Sequence, residues 1–444
     1  MPDLLERLEL SISQTLFSRT VSNVCGFRAG MVEACAPKSA CVGDRVRIKS
    51  TGRETWAEVV GLYADQMTLL PDTDAHGVSV GDPVAYFRAT SFRPDKSWIG
   101  RILDPEGTPL DGRPVLPGLV EASCCANTGR MVDRRPLGPR IHTGFAVFDT
   151  MLPLVRGQRI GLFAGSGVGK STLLAGLAVG VEVDVVVIGL VGERSREVLE
   201  FANETLGAKG MERAVIIAAT SDQPARLRRK CAQSATAVAE YFRDLGLQVL
   251  LLLDSVTRFA EAHREISCAS GEQANMRGFP PSTAASIARL CERAGPGSHG
   301  TGDITAVYTV LVAGSDFDEP VSDMLRGVLD GHVILDRAIA ERGRFPAVDV
   351  LRSVSRSLPK AANEDENAII GDARKLLAAY DQSEAMIQSG LYSAGGDPQI
   401  DRAIAVRDGL ETFFSRIGPT EFGEYFEHLR AILEAGQPEV DQAS

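Results

Sequence analysis

The chain has 444 residues, 44% of them hydrophobic and 24% charged, with a formal net charge of −11. That length exceeds one compact core and implies about two to four domains, in a composition ordinary for a globular protein. The acidity excludes non-specific nucleic-acid binding as the main task, although Arg226, Arg228, Arg229 and Lys230 form a candidate local basic patch.

The N-terminus lacks the basic-then-apolar order of a secretion signal. Residues 3–17 place Leu4, Leu8, Ile12 and Leu16 four apart with Leu5 beside them, which predicts an amphipathic helix over 1–19. It either packs on its own domain or docks a partner. Between residues 20 and 88 the pattern changes to short β-rich runs, Val46–Lys49, Ala57–Val60 and Met67–Leu70, separated by Gly, Asp and Pro turns. Val42-Gly43-Asp44 recurs as Val80-Gly81-Asp82. A small closed β-barrel is expected, because closure removes the sheet edges.

A Pro- and Gly-rich connector, Leu103–Pro114, leads into alternating strands and helices. The region assigned to this second domain is 89–360. Strands are expected at Arg159–Phe163, Val183–Val191, Ala214–Ala219, Val249–Leu253 and Ile304–Val312. Each is a continuous apolar run, as a parallel sheet covered by helices on both faces requires. From 361 to 444 the β signals vanish and helical periodicity takes over, as in Ala373–Tyr380 and Arg402–Arg407. No apolar stretch is long enough to cross a bilayer. The eight cysteines show no C-x-x-C pair and no metal spacing, so they read as free thiols in a reducing compartment.

The densest chemical signal is the run Ala164, Gly165, Ser166, Gly167, Val168, Gly169, Lys170, Ser171 and Thr172, after a strand and before an apolar helix. That order is a phosphate-binding P-loop. Backbone N–H groups wrap phosphates where side chains are missing, and the helix adds its positive N-terminal end. Lys170 is placed to reach the β- and γ-phosphates, and the Ser171 hydroxyl to ligate Mg²⁺. Ala164 stands where the general pattern has Gly; it is small enough for the loop to survive.

Ligands of open parallel sheets bind beyond the C-terminal strand ends. Asp254 ends the run Val249–Leu253, the position of a carboxylate that holds Mg²⁺ directly or through water. Glu193 follows another buried strand and is the candidate for orienting the attacking water; the competing role is an ion pair with Arg194 or Arg196. Arg356, beyond the last strand, is a candidate for stabilising transition-state charge from a neighbouring subunit.

Gly192–Val198, Leu252–Arg258, Gly278–Ser282, Leu329–His332 and Phe345–Asp349 occur in that order after the P-loop, followed by Gly390–Pro398. Together they resemble the rotary-ATPase-related secretion ATPases, specifically the flagellar type III export ATPases. The resemblance runs from the barrel to the C-terminal helices. It implies a RecA-like central domain, ATP and Mg²⁺ as ligands, and a homohexamer. Glu193 matches the catalytic glutamate, Asp254 the Walker B aspartate, and Arg356 the finger given across the subunit boundary. Phe345 matches an adenine-stacking aromatic, usually Tyr; stacking survives that change and a hydroxyl contact does not.

The resemblance further implies a stator-like regulatory protein at the N-terminal helix, export substrates and chaperones, and a membrane export gate as partners. Nucleic acid is not expected. The implied location is the cytoplasm, peripheral to the inner-membrane export apparatus. Because Lys170, Glu193, Asp254 and Arg356 occur on one chain, identical copies would complete a site at every interface. That favours a homohexameric export ATPase over a rotary synthase catalytic subunit, and the intact Lys170, Glu193 and Arg356 count against an inactive nucleotide-binding scaffold. The chain's acidity counts against a hexameric RNA translocase, and the paralogous injectisome ATPase stands as the alternative.

Overall fold

A computed structural model describes residues 21–28, 30–87, 92–124, 134–275, 278–312 and 319–435. The expected N-terminal amphipathic helix lies outside the described residues. Six strands come first: β1 (Val21–Arg28), β2 (Met31–Cys35), β3 (Arg45–Ser50), β4 (Arg53–Tyr63), β5 (Gln66–Pro71) and β6 (Pro83–Phe87). They close into an antiparallel barrel in the order β1-β2-β5-β4-β3-β6. Alternate residues such as Val46 and Ile48, or Ala57 and Val59, point inward and are fully buried, the two-residue period of a half-buried strand. The repeated Val-Gly-Asp triplets form the same turn twice. Gly43 and Gly81 have φ of 96° and 95°, and each donates its N–H to a strand carbonyl, Val59 or Val24, at 2.8 Å.

The second body is a nine-stranded sheet. Its strands are β7 (Arg101–Leu103), β8 (Arg159–Ala164), β9 (Val185–Glu193), β10 (Ala214–Thr220), β11 (Val249–Asp254), β12 (Gly295–Pro296), β13 (Asp303–Leu311), β14 (Gly331–Leu335) and β15 (Val348–Ser355). The order is β15-β14-β8-β13-β11-β9-β10-β7, with β12 paired to β13. All pairs are parallel except β14–β15 and β12–β13. The five expected strands are all present, shifted by at most two residues. Sequence reading missed β7, which runs into the first residue of the connector and adds to the sheet beside β10, and the edge pair β14–β15.

Helix α1 (Lys170–Gly180) buries Leu173, Leu174 and Leu177 against one face of the sheet. The short α2 (Ser195–Glu200) follows β9 and continues into a π-helical turn, Phe201–Leu206. On the other face, α3 (Ala225–Asp244), α4 (Val256–Ala269), α5 (Ser282–Glu292) and α6 (Pro320–Val328) bury Val238, Phe242, Phe259, Ile287 and Leu325. Three helices end the chain: α7 (Glu364–Gln388), α8 (Pro398–Phe414) and α9 (Phe422–Ala435). An Asn363–Glu366 capping box opens α7, satisfying two orphan donors reciprocally. Ile370, Ala373, Leu410 and Phe413 then join these helices to the α1 side of the core.

The basic run of α3 is not a free surface patch. Arg226 is only 4% exposed. It meets Asp72 of the barrel at 3.1 Å, Glu58 at 3.6 Å, and Glu106 of the connector at 2.9 Å. Arg229 also faces Glu58, and Lys230 faces Glu106. The cations therefore clasp the barrel onto the nucleotide domain. Burial works against ionisation of Asp72, but Arg45 and Arg226 outweigh it and hold the carboxyl below its usual range. At Glu58 burial prevails over the same cations and raises the carboxyl.

Candidate active site

Ala164 ends β8, Asp254 ends β11 and Glu193 ends β9. Because these strands run parallel, the three ends lie on one edge of the sheet, where such folds bind ligands. Ala164 is fully buried and accepts from Val312 N–H at 3.0 Å. The loop after it turns through Gly167 and Gly169, with φ of 77° and 83°, conformations that favour glycine. Gly169 also caps α1. A Cβ there would come within 3.1 Å of the Phe345 ring, so the aromatic lies directly against the loop. Phe345 is 48% exposed, leaving ring surface for stacking.

Val168 is buried, whereas Ser166, Ser171 and Thr172 are exposed. They border a cleft of ≈ 680 Å³ that also touches Gly165, Lys170, Glu193, Glu197 and Arg258. Lys170 Nζ donates to Asp254 Oδ1 and lies 3.7 Å from Glu193 Oε1. Thr309 of β13 donates its hydroxyl to the same Asp254 oxygen at 2.7 Å. Arg194 and Arg196 pair instead with Glu197 and Glu200. Glu193 therefore faces Lys170, and the surface ion-pair role is not the one it takes.

Burial pushes the Glu193 carboxyl up to about 7; the Asp254 charge adds to this, Lys170 opposes it, and a hydrogen bond with Glu197 raises it further. A carboxylate poised there exchanges protons near neutrality, as a general base requires. Motif reading quoted Glu197 and Arg258 without giving them a role. Thr309 carried no sequence signal, since it sits within an apolar strand.

The oxygens that converge here are the Ser171 hydroxyl and the Glu193, Glu197 and Asp254 carboxylates. Such hard donors suit Mg²⁺. Among the described residues no group of three or more His, Cys, Asp or Glu could hold a metal by itself.

Arg356 is not brought to this cleft. Its N–H bonds Asp330 O, and Asp330 N–H bonds Arg159 O at the start of β8. It therefore lies at the opposite end of the sheet from the P-loop, about 17 Å away along β8 alone. The side chain is exposed and donates to Arg326 O at 3.1 Å.

Residues 144–355 match the nucleotide-binding domain of the ATP synthase alpha/beta family, and residues 362–418 match the C-terminal domain of type III secretion ATPases. The chain is 45% identical over 404 residues to a flagellum-specific ATP synthase of Caulobacter vibrioides, covering 89% of this chain and 91% of the relative. A Treponema pallidum protein of the same name is 42% identical over 417 residues, 93% of each chain. The chain belongs to the flagellum-specific ATP synthase family. Its relatives extend to a type 3 secretion system ATPase of Xanthomonas euvesicatoria, 42% identical over 85% of each chain. The assembled ATPase EscN of enteropathogenic E. coli superposes with a TM-score of 0.85 at 36% identity, over 93% of this chain and all of that one. The same ATPase has also been solved with its central stalk EscO. The flagellum-specific ATP synthase family thus accounts for the barrel, the sheet and the C-terminal helices together.

Proposed function

We propose that this chain is an ATPase that hydrolyses ATP to ADP and phosphate and so energises protein export through a flagellar type III secretion apparatus. The observation that carries the reading is 42–45% identity, across about nine tenths of the chain, to proteins named flagellum-specific ATP synthase. The injectisome reading is supported by the 42% identity to the Xanthomonas ATPase. Both readings share the chemistry.

In that chemistry the P-loop amides and Lys170 hold the phosphates, and Phe345 stacks on the adenine. Mg²⁺, when bound, neutralises phosphate charge beside Ser171 and Asp254. Lys170 leaves Asp254 for the phosphates as ATP enters. Glu193 then orients water and accepts its proton. Arg356 cannot serve its own P-loop from the far end of the sheet, so it serves a neighbouring copy. This arrangement supports a ring of identical chains, here taken as a hexamer. Among the described residues no helix is long and apolar enough to cross a membrane. The ring is proposed to act at the cytoplasmic face of an export gate. A stator-like protein binds the N-terminal segment, and chaperones deliver export substrates.

Replacing Lys170 by Ala should reduce ATP hydrolysis to background and abolish filament assembly in the organism that encodes the chain. Hydrolysis near the native rate would remove the P-loop assignment. Loss of hydrolysis with motility intact and another secretion system silenced would favour the injectisome reading.

A further inference from the structure

The barrel carries a pair of thiols that the nucleotide site does not use. Cys25 of β1 and Cys35 of β2 are both exposed, and their Sγ atoms lie 3.4 Å apart. The pairing register explains the approach. Val24 opposes Ala34, both buried inside the barrel, and Gly26 opposes Glu33. Cys25 is therefore the extra residue of a β-bulge, a device that re-aims a side chain. One step beyond the inward Val24 and Ala34, both cysteines face the outer wall.

We infer that Cys25 and Cys35 are a dithiol that a hydroperoxide converts reversibly into a disulfide. The sulfurs must close by roughly 1.4 Å to reach the S–S bond length. Although the residue is exposed, local desolvation of its sulfur, the hydrogen bond with Cys35 and the nearby Cys35 and Glu33 charges push the Cys25 thiol up to about 11. One thiolate of the pair attacks one peroxide oxygen; an S–O bond forms, the O–O bond breaks, and the departing hydroxide takes up a proton as water. The other sulfur then attacks the sulfenic acid. The S–S bond forms, the S–O bond breaks, and the departing hydroxide takes the second thiol's proton as water. Two thiols and one hydrogen peroxide give one disulfide and two waters. A small dithiol reductant restores the pair by exchange.

The test treats the full chain with hydrogen peroxide, alkylates the remaining thiols, and cleaves with trypsin, which cuts at Arg28 between the two cysteines. The expected product is a cross-linked pair of peptides, one holding Cys25 and the other Cys35, that dithiothreitol separates. Alkylation of both should fall by about ten-fold, while exposed Cys41 and Cys268 lose less than half of theirs. In a Cys35→Ser chain Cys25 should stay alkylatable at unchanged ATP hydrolysis. Oxidation of Cys41 before any Cys25–Cys35 link, or sulfinic acid at either cysteine in place of the link, would overturn the inference.

Discussion

Glu193 sits among Asp254, Glu197 and Lys170, and the balance of those charges with burial sets its proton affinity. Its ionised fraction rises with pH through about 7, so kcat/KM, which reports the free enzyme, should climb on an acid limb in that region. Glu197→Gln removes a negative neighbour and substitutes an amide donor, both favouring the ionised form. The limb should move to lower pH, measurable as the midpoint of the pH–rate profile; an unmoved midpoint would show that Glu197 does not tune the base. Glu193→Gln should keep ATP binding and lose about 10²–10⁴-fold in turnover. Most of this site was readable beforehand because P-loop chemistry requires fixed residue types at fixed spacing. Thr309 was not, because its tie to Asp254 depends on β13 lying beside β11, which no local pattern encodes.

The five long parallel strands were legible as unbroken apolar runs, since both of their faces are covered. β7 was not, because three residues running into a Pro- and Gly-rich connector carry no period. β14 and β15 were missed because they form the antiparallel edge, where polar residues such as His332, Arg352 and Ser353 interrupt the run. The basic run of α3 misled as composition does: charge was visible, but the barrel acids that consume it lie more than a hundred residues away. Arg226→Ala should remove the cation that Asp72, Glu58 and Glu106 share, leaving Asp72 with Arg45, Glu58 with Arg229 and Glu106 with Lys230. The expected cost is about 1.5–3 kcal/mol, read from urea unfolding, with the barrel loosening first in hydrogen exchange. A change below about 0.5 kcal/mol would mean the clasp is solvated rather than structural.

At the scale of the whole molecule, the residues assigned to the reaction stand at two ends of one sheet. The P-loop, Glu193 and Asp254 share one edge of the sheet, and Arg356 stands at the other. Closed rings of identical subunits join unlike faces head to tail, and in the proposed ring that separation would place Arg356 of one copy toward the P-loop of the next. Both ends belong to one hydrogen-bonded sheet through β8 and β14, so the spacing is a property of the fold. The direct measurement mixes Lys170→Ala chains with Arg356→Ala chains, each inactive alone, and follows ATP hydrolysis after mixed rings have been verified by mass. If Arg356 acts across the boundary, a random equal mixture pairs an intact P-loop with an intact arginine at about a quarter of interfaces, and activity should recover toward that fraction. Mixed rings no more active than either variant alone would contradict the account.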